Sequence, residues 1–299
     1  MTTKTPASVE WITLGLILGT MALWVLVTLW LAAHAPVLAV LAAGVLIAFH
    51  SSLQHEVIHG HPTPWRRLNE ALVWPALGLV VPYARFRDSH LDHHLDSNLT
   101  DPFDDPESNF MDGGDWERLP RALKAVLRVN NTLLGRMAIG PLVGQLWFLA
   151  SDLRAMRAGD ARVLSGWLWH LPAMAVVLLW VQASPMSLWS YLIAVYIGNA
   201  LLKIRTYAEH QAHELSRGRT VIIEDRGPLA FLFLNNNFHV VHHVHPGLPW
   251  YALPGRFMRD PGKYLRMNRG YRFGSYAQLF RRHLLRAKDP VPHPIWRRG

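Results

Sequence analysis

Two long uncharged stretches dominate the chain. From Trp11 to Phe49 there is no Asp, Glu, Lys or Arg, and the run is long enough for two helical spans of about 20 residues each. His34-Ala35-Pro36 breaks it in the middle. A second uncharged pair begins at Val163 and ends at Leu202, with Ser184-Pro185 between its halves. Neither stretch alternates with period two, so both predict helices rather than barrel strands. The expectation is an all-α integral membrane fold in one domain over residues 1–299. Four transmembrane helices, at about 11–33, 36–54, 163–183 and 186–203, would form two hairpins.

Weaker patterns fill the intervals. The second span is expected to leave the membrane as one continuous helix over Val45 to His59. Residues 68–84 are apolar but contain Glu70, Pro75, Gly78 and Pro82, which predicts a short or re-entrant helix near the interface. Residues 132–150, with Arg136, Gly140-Pro141 and Gly144, predict a second interfacial helix. In 275–288, Tyr276, Leu279, Phe280 and Leu284 share one helical face while Arg281, Arg282 and Arg286 lie elsewhere. That pattern suits an amphipathic helix on an anionic bilayer surface. Ala33-His34-Ala35 resembles a signal-peptidase site, but a signal core is about 7 to 15 residues and this run is longer.

Composition supports a membrane setting, with 51% hydrophobic and 17% charged residues and 13 Trp. The absence of Cys removes disulfides, thiolate metal sites, iron–sulfur clusters and a cysteine nucleophile together. Charge sets the orientation. Of 30 Lys and Arg, 12 lie in 54–162, 17 lie in 203–299 and the last is Lys4, which leaves none for the turns near His34 and Ser184. By the positive-inside rule both termini and the large middle segment are cytoplasmic. The segment 251–299 carries 12 Lys and Arg against Asp260 and Asp289. A chain anchored by spans makes nucleic acid an improbable partner for that charge, and an acidic redox protein a better one.

Nine of the 17 histidines fall into tight groups: His55 and His59; His90, His93 and His94; His210; His239, His242 and His243. Residues three and four apart share a helix face, so each group points its imidazoles one way. Four to six ligands saturate a first-row ion, and imidazole suits iron, zinc or copper. About nine histidines therefore fit two ions. His55-Glu56-Val57-Ile58-His59 also reads H-E-x-x-H, the zinc-protease motif with Glu56 as general base. A peptidase needs three protein ligands and would leave most of the grouped histidines idle. A metal transporter is a further rival, but its sites normally lie near the bilayer midplane, where this chain has no acidic residue. The stretch Thr100-Asp101-Pro102-Phe103-Asp104-Asp105-Pro106-Glu107 reads as a proline-punctuated loop whose carboxylates cap helices or face water. Its other use would be to let Asp101, Asp104 or Asp105 accept imidazole N–H groups behind the metals.

The order H-x-x-x-H, H-x-x-H-H, an isolated histidine after the last span and H-x-x-H-H resembles the membrane fatty acid desaturase superfamily, over roughly residues 45 to 255. That superfamily includes hydroxylases and carotenoid ketolases. The resemblance implies two irons held beneath four transmembrane helices by a cytoplasmic cap, with His55, His59, His90, His93, His94, His210, His239, His242 and His243 as ligands. It implies an O2-dependent oxidoreductase that removes two hydrogens from an unactivated acyl chain. The alternative is a hydroxylase or ketolase acting on an alkane, carotenoid or other apolar substrate. Its partners would be a lipid or acyl substrate and an external donor such as a ferredoxin, or a cytochrome b5-like protein with its reductase. Some animal members carry asparagine one turn before the isolated histidine, where this chain has Thr206, so His213 is a candidate extra ligand. Glu56, Asp92, Glu209 and Asn237, in or beside the boxes, are candidates for extra or supporting contacts, while His50, His61 and His245 read as neighbours of the boxes. His245-Pro246-Gly247 echoes a haem-binding motif of cytochrome b5, but Leu248 breaks it.

Overall fold

The computed structural model describes residues 5–95 and 98–296. Lys4 and the last three residues of the basic tail lie outside them. The chain is mostly helical. The helices that matter for the site are α1 (Trp11–His34), α2 (Pro36–Ile58), α3 (Tyr83–His93), α4 (Ala161–Gln182), α5 (Leu188–Glu209), α6 (His239–Val244) and α7 (Tyr276–His283). Two compact units divide the chain: residues 1–88 with 142–202, and residues 89–141 with 203–299.

In the first unit, α1, α2 and α4 are each long and apolar enough to cross a membrane. Trp24, Ala39, Ala43, Ile47, Val177, Val181, Tyr191 and Ala194 form their shared core. The faces turned away from that core are apolar too, with Val37 76%, Leu179 70% and Trp189 78% exposed. A helix that is apolar all round belongs in lipid. The fourth expected span falls within α5, which is not among the three. Its second half carries Asn199, Lys203, Arg205 and Glu209, so only part of its length is uniformly apolar. Within α1, one turn widens to the π form over Val27–Leu31. There the Thr28 hydroxyl donates to the Trp24 carbonyl at 2.9 Å and accepts the Trp180 indole N–H at 2.9 Å.

The segment 68–84 departs from expectation. Helix continues only over Arg66–Leu72, and residues 73–82 run irregularly with Val73 and Leu77 fully buried. Val73, Ala76, Leu77 and Leu79 pack into protein, while Leu68 and Val81 stay exposed. The freed carbonyls are met by side chains: Gln54 Nε2 donates to Val73 at 3.2 Å, Tyr191 to Leu77 at 2.9 Å, His170 to Leu79 at 2.8 Å and Gln145 Nε2 to Val80 at 2.8 Å. Irregular backbone among apolar helices requires such partners. Over 132–150 the expected single helix is two, Leu133–Ala138 and Gly140–Arg157, parted at Ile139.

In the second unit, a short parallel pair joins β1 (Ile222–Ile223) to β2 (Arg272–Phe273). Ile222, Phe238, Val240, Val241, Leu253, Phe257 and Tyr264 form a core beside it. The face of α7 expected on the bilayer packs inward instead, with Tyr276 and Leu279 buried and the Tyr276 ring 5.9 Å from Phe233. Composition marks that face as apolar; it does not say whether protein or lipid covers it.

Candidate metal centre

The two H-x-x-H-H boxes of the second unit ride on short helices, and that of α6 has an apolar opposite face. On α6, His239, His242 and His243 share one side, while Val240 and Val241 enter the core against Phe238 and Leu253. Burial of those valines holds the imidazoles inward. On α3 and the turn that ends it, His90, His93 and His94 are likewise buried on one face. His210 follows α5, where an antiparallel bridge to Thr220 and the Lys288 ammonium on its carbonyl fix its backbone.

Seven imidazoles from these segments converge as two sets. The Nε2 atoms of His93, His210, His239 and His243 meet, with separations of 2.9 Å for His93–His210, 3.0 Å for His210–His239 and 3.1 Å for His239–His243. The Nε2 atoms of His90, His94 and His242 meet in the same way, at 3.0 Å for His90–His94 and 3.1 Å for His94–His242. The His94 and His243 rings stack at 4.4 Å, so the two sets are neighbours. In the first unit, His55 and His59 lie one turn apart where α2 ends, buried, with ring centroids 4.9 Å apart.

The reverse sides of the rings explain why Nε2 faces inward. His93 Nδ1–H donates to Asp105 Oδ1 at 2.8 Å, His90 Nδ1–H to Glu107 Oε1 at 3.2 Å and His239 Nδ1–H to Asn236 Oδ1 at 3.2 Å. A ring that donates from Nδ1 keeps its lone pair on Nε2. Asp105 is itself fixed, accepting the Thr100 and Glu107 backbone N–H groups at 2.8 and 2.9 Å. Glu209 supports Asn236, whose amide donates to it, and pairs with Arg205 at 3.0 Å.

This donor set fits metal ions. Neutral lone pairs about 3 Å apart repel unless a cation lies between them, and ligands at right angles around a metal with bonds of about 2.1 Å stand about 3 Å apart. Without a cation the cluster holds protons unevenly. Burial alone would lower His93, but the Glu107 and Asp105 carboxylates outweigh it and push its pKa up to about 9. Burial and neighbouring imidazoles hold His210 and His239 well below the usual range. Burial raises Glu107 to about 7. Metal binding to such a site displaces protons.

The remaining candidates are placed as follows. Asp105 lies behind a ring, whereas Asp101 accepts the Phe103 and Asp104 N–H groups and Asp104 is exposed. Glu107 and Asn236, which the sequence reading did not single out, back two further rings. Glu56 is buried, 3.9 Å from His55 Nδ1. Asp92 is exposed, and the Asn237 amide donates to the Ile223 and Asp225 carbonyls. His213 stays out of the cluster, because its Nδ1 accepts the Leu215 N–H at 3.0 Å and its ring lies against Gly218. Thr206 sits one turn before His210 with its hydroxyl buried and unpartnered among the described residues. His61 pairs with Glu10 at 2.9 Å, and His245 contacts the Tyr264 hydroxyl.

The fold and the histidine sets together describe a mostly helical protein with three helices long and apolar enough to cross a membrane and two adjoining groups of imidazoles that could hold metal. The fatty acid desaturase profile matches residues 28–274, and the chain belongs to that family. A search of the curated proteins gives no match.

Proposed function

We propose that the protein is an O2-dependent desaturase that removes two hydrogens from an unactivated acyl chain at a histidine-held pair of irons. The observation that carries this reading is the double convergence of Nε2 atoms, each set backed by carboxylate or amide acceptors. His93, His210, His239 and His243 would hold one ion, and His90, His94 and His242 the other. The family resemblance adds His55 and His59 to the ligands.

When bound, ferrous ions supply reductive activation of O2 strong enough to attack an unactivated C–H bond. The chain does the rest. Asp105, Glu107 and Asn236 keep the ligand tautomers fixed. Burial of the rings excludes bulk water from the centre. Alkene formation with O2 reduced to two waters consumes two electrons and two protons from outside, and a chain without Cys or another redox motif takes those electrons from a separate carrier. A ferredoxin, or a cytochrome b5-like protein with its reductase, would dock on the basic segment from 251 onward. The proposed topology has α5 as a fourth span, with both termini and the histidine boxes on the cytoplasmic side.

Metal and product analysis test the reading together. Purified protein should carry iron, and its lipid product should be two hydrogens lighter than the substrate. A product gaining oxygen would assign the chain to hydroxylase or ketolase chemistry on the same centre. Bound zinc with a peptidase activity lost in Glu56→Gln would overturn the proposal.

A further inference from the structure

The second unit contains a helix, Arg121–Asn130, whose apolar side is about half exposed among the described residues. Its sequence, Arg-Ala-Leu-Lys-Ala-Val-Leu-Arg-Val-Asn, places Arg121, Lys124 and Arg128 along one edge, at helical spacings of three and four. Val126, Leu123, Ala122 and Val129 occupy the opposite side. Leu123 is 50% exposed, Val126 43% and Val129 55%, and Leu134, just beyond the helix, is 46% exposed. A helix docked on a core buries its leucines and valines; this one leaves them exposed, and Arg121 and Arg128 are exposed on the other side as well.

The edge charges identify the partner. No acidic residue occurs between Arg118 and the end of the helix, so the face opposite the apolar one carries three cations without an opposing charge on the helix itself. The Lys124 ammonium and Arg128 guanidinium lie 5.9 and 5.5 Å from the Trp116 ring, and Lys124 also donates to the Glu117 carbonyl. An apolar face backed by a purely cationic one, with a tryptophan beside the cations, matches the make-up of a helix lying in a membrane interface. A water-soluble protein partner would need no uniformly cationic opposite face. We infer that Arg121–Asn130 is an in-plane helix seated on an anionic bilayer surface, its Leu123–Val126–Val129 face among the acyl chains and its cations among acidic headgroups. This is a lipid contact separate from the spanning helices, and it replaces α7 in the role that the sequence suggested for residues 275–288.

The absence of Cys allows a direct test in the full-length protein. Single cysteines at Val126 and Val129, and at Asp115 as a solvent-exposed reference, would carry an environment-sensitive fluorophore in nanodiscs of mixed zwitterionic and anionic phospholipid. Labels at 126 and 129 should be quenched by spin-labelled acyl chains and protected from aqueous iodide, with the label at 115 showing the opposite order. Changing Arg121, Lys124 and Arg128 to Gln should weaken seating by about fivefold per cation removed, and purely zwitterionic discs should do the same. These surface changes leave the core untouched, so iron content reports that the fold survives. Iodide quenching at 126 equal to that at 115 would show the face in water. Protection from both quenchers would show it covered by protein. Either result overturns the inference.

Discussion

At the scale of single residues, the site depends on atoms that do not face the metals. Asp105 joins the His93 imidazole to two backbone N–H groups, so removing its carboxylate frees the ring and leaves buried donors unpaired. Outer partners of metal-bound histidines are typically worth about 10- to 100-fold in affinity. Asp105→Asn should therefore lower iron occupancy at limiting iron by an amount in that range, measured by elemental analysis, while the helical circular dichroism signal stays unchanged. His213→Ala should leave iron content intact, since that imidazole is engaged with Leu215. The grouped histidines were legible because helical spacing alone puts i, i+3 and i+4 on one face. Glu107 and Asn236 were not, because their role arises from a folded loop and from a turn where Leu234 and Asn235 adopt positive φ. No local spacing encodes either.

At the scale of elements, two crossings carry separate predictions. Helices α2 and α5 meet at Gly44 and Gly198. A Cβ on Gly198 would lie 2.7 Å from Ile47 Cγ2 and 2.9 Å from the Gly44 carbonyl oxygen. The backbone cannot yield as a side-chain tip does, so Gly198→Leu should destabilise the first unit by about 1–3 kcal/mol, read as a lower unfolding temperature in detergent. The C-terminal strap is held differently. His293 Nδ1 accepts the Ile295 and Trp296 N–H groups at 3.1 and 3.0 Å, and Nε2 faces Thr100 Oγ1 at 3.3 Å. Burial and the nearby Arg219 guanidinium lower its pKa below 6.5. Above that value both folded and unfolded chains are neutral here. Below it the unfolded chain takes up the proton first, so stability falls by up to about 1.4 kcal/mol per pH unit until the folded pKa is passed. Protection factors of the Ile295 and Trp296 amides, which correct for the slower intrinsic exchange at lower pH, should fall as the pH drops below 6.5, and protection that stays constant there would refute the linkage. The three long apolar helices were legible at this scale as uncharged runs. The irregular 73–82 stretch and the buried face of α7 were not, since an apolar residue looks the same whether protein or lipid receives it.

For the whole molecule, gathering seven imidazoles from segments over a hundred residues apart has a cost that metal offsets. In the second unit His210 is brought within hydrogen-bond distance of both His93 and His239. Without a cation their lone pairs oppose each other or trap a proton at His93. Ligand binding to the native state alone adds RT ln(1 + [L]/Kd), about 2.7 kcal/mol at a hundredfold excess over Kd. For a unit of this size that corresponds to a rise of several degrees in its unfolding temperature. Chelating the iron should therefore lower the unfolding transition of residues 89–141 and 203–299, while the spanning helices Trp11–His34 and Pro36–Ile58, built on an apolar core, keep theirs. Segment-resolved hydrogen exchange of iron-loaded and chelated protein in nanodiscs checks this. Faster exchange confined to α6, the His210 region and the loop around Asp105 is the expected pattern. Equal exchange with and without iron would mean that the imidazole clusters are organised by packing alone, and that metal contributes nothing to the stability of the fold that holds it.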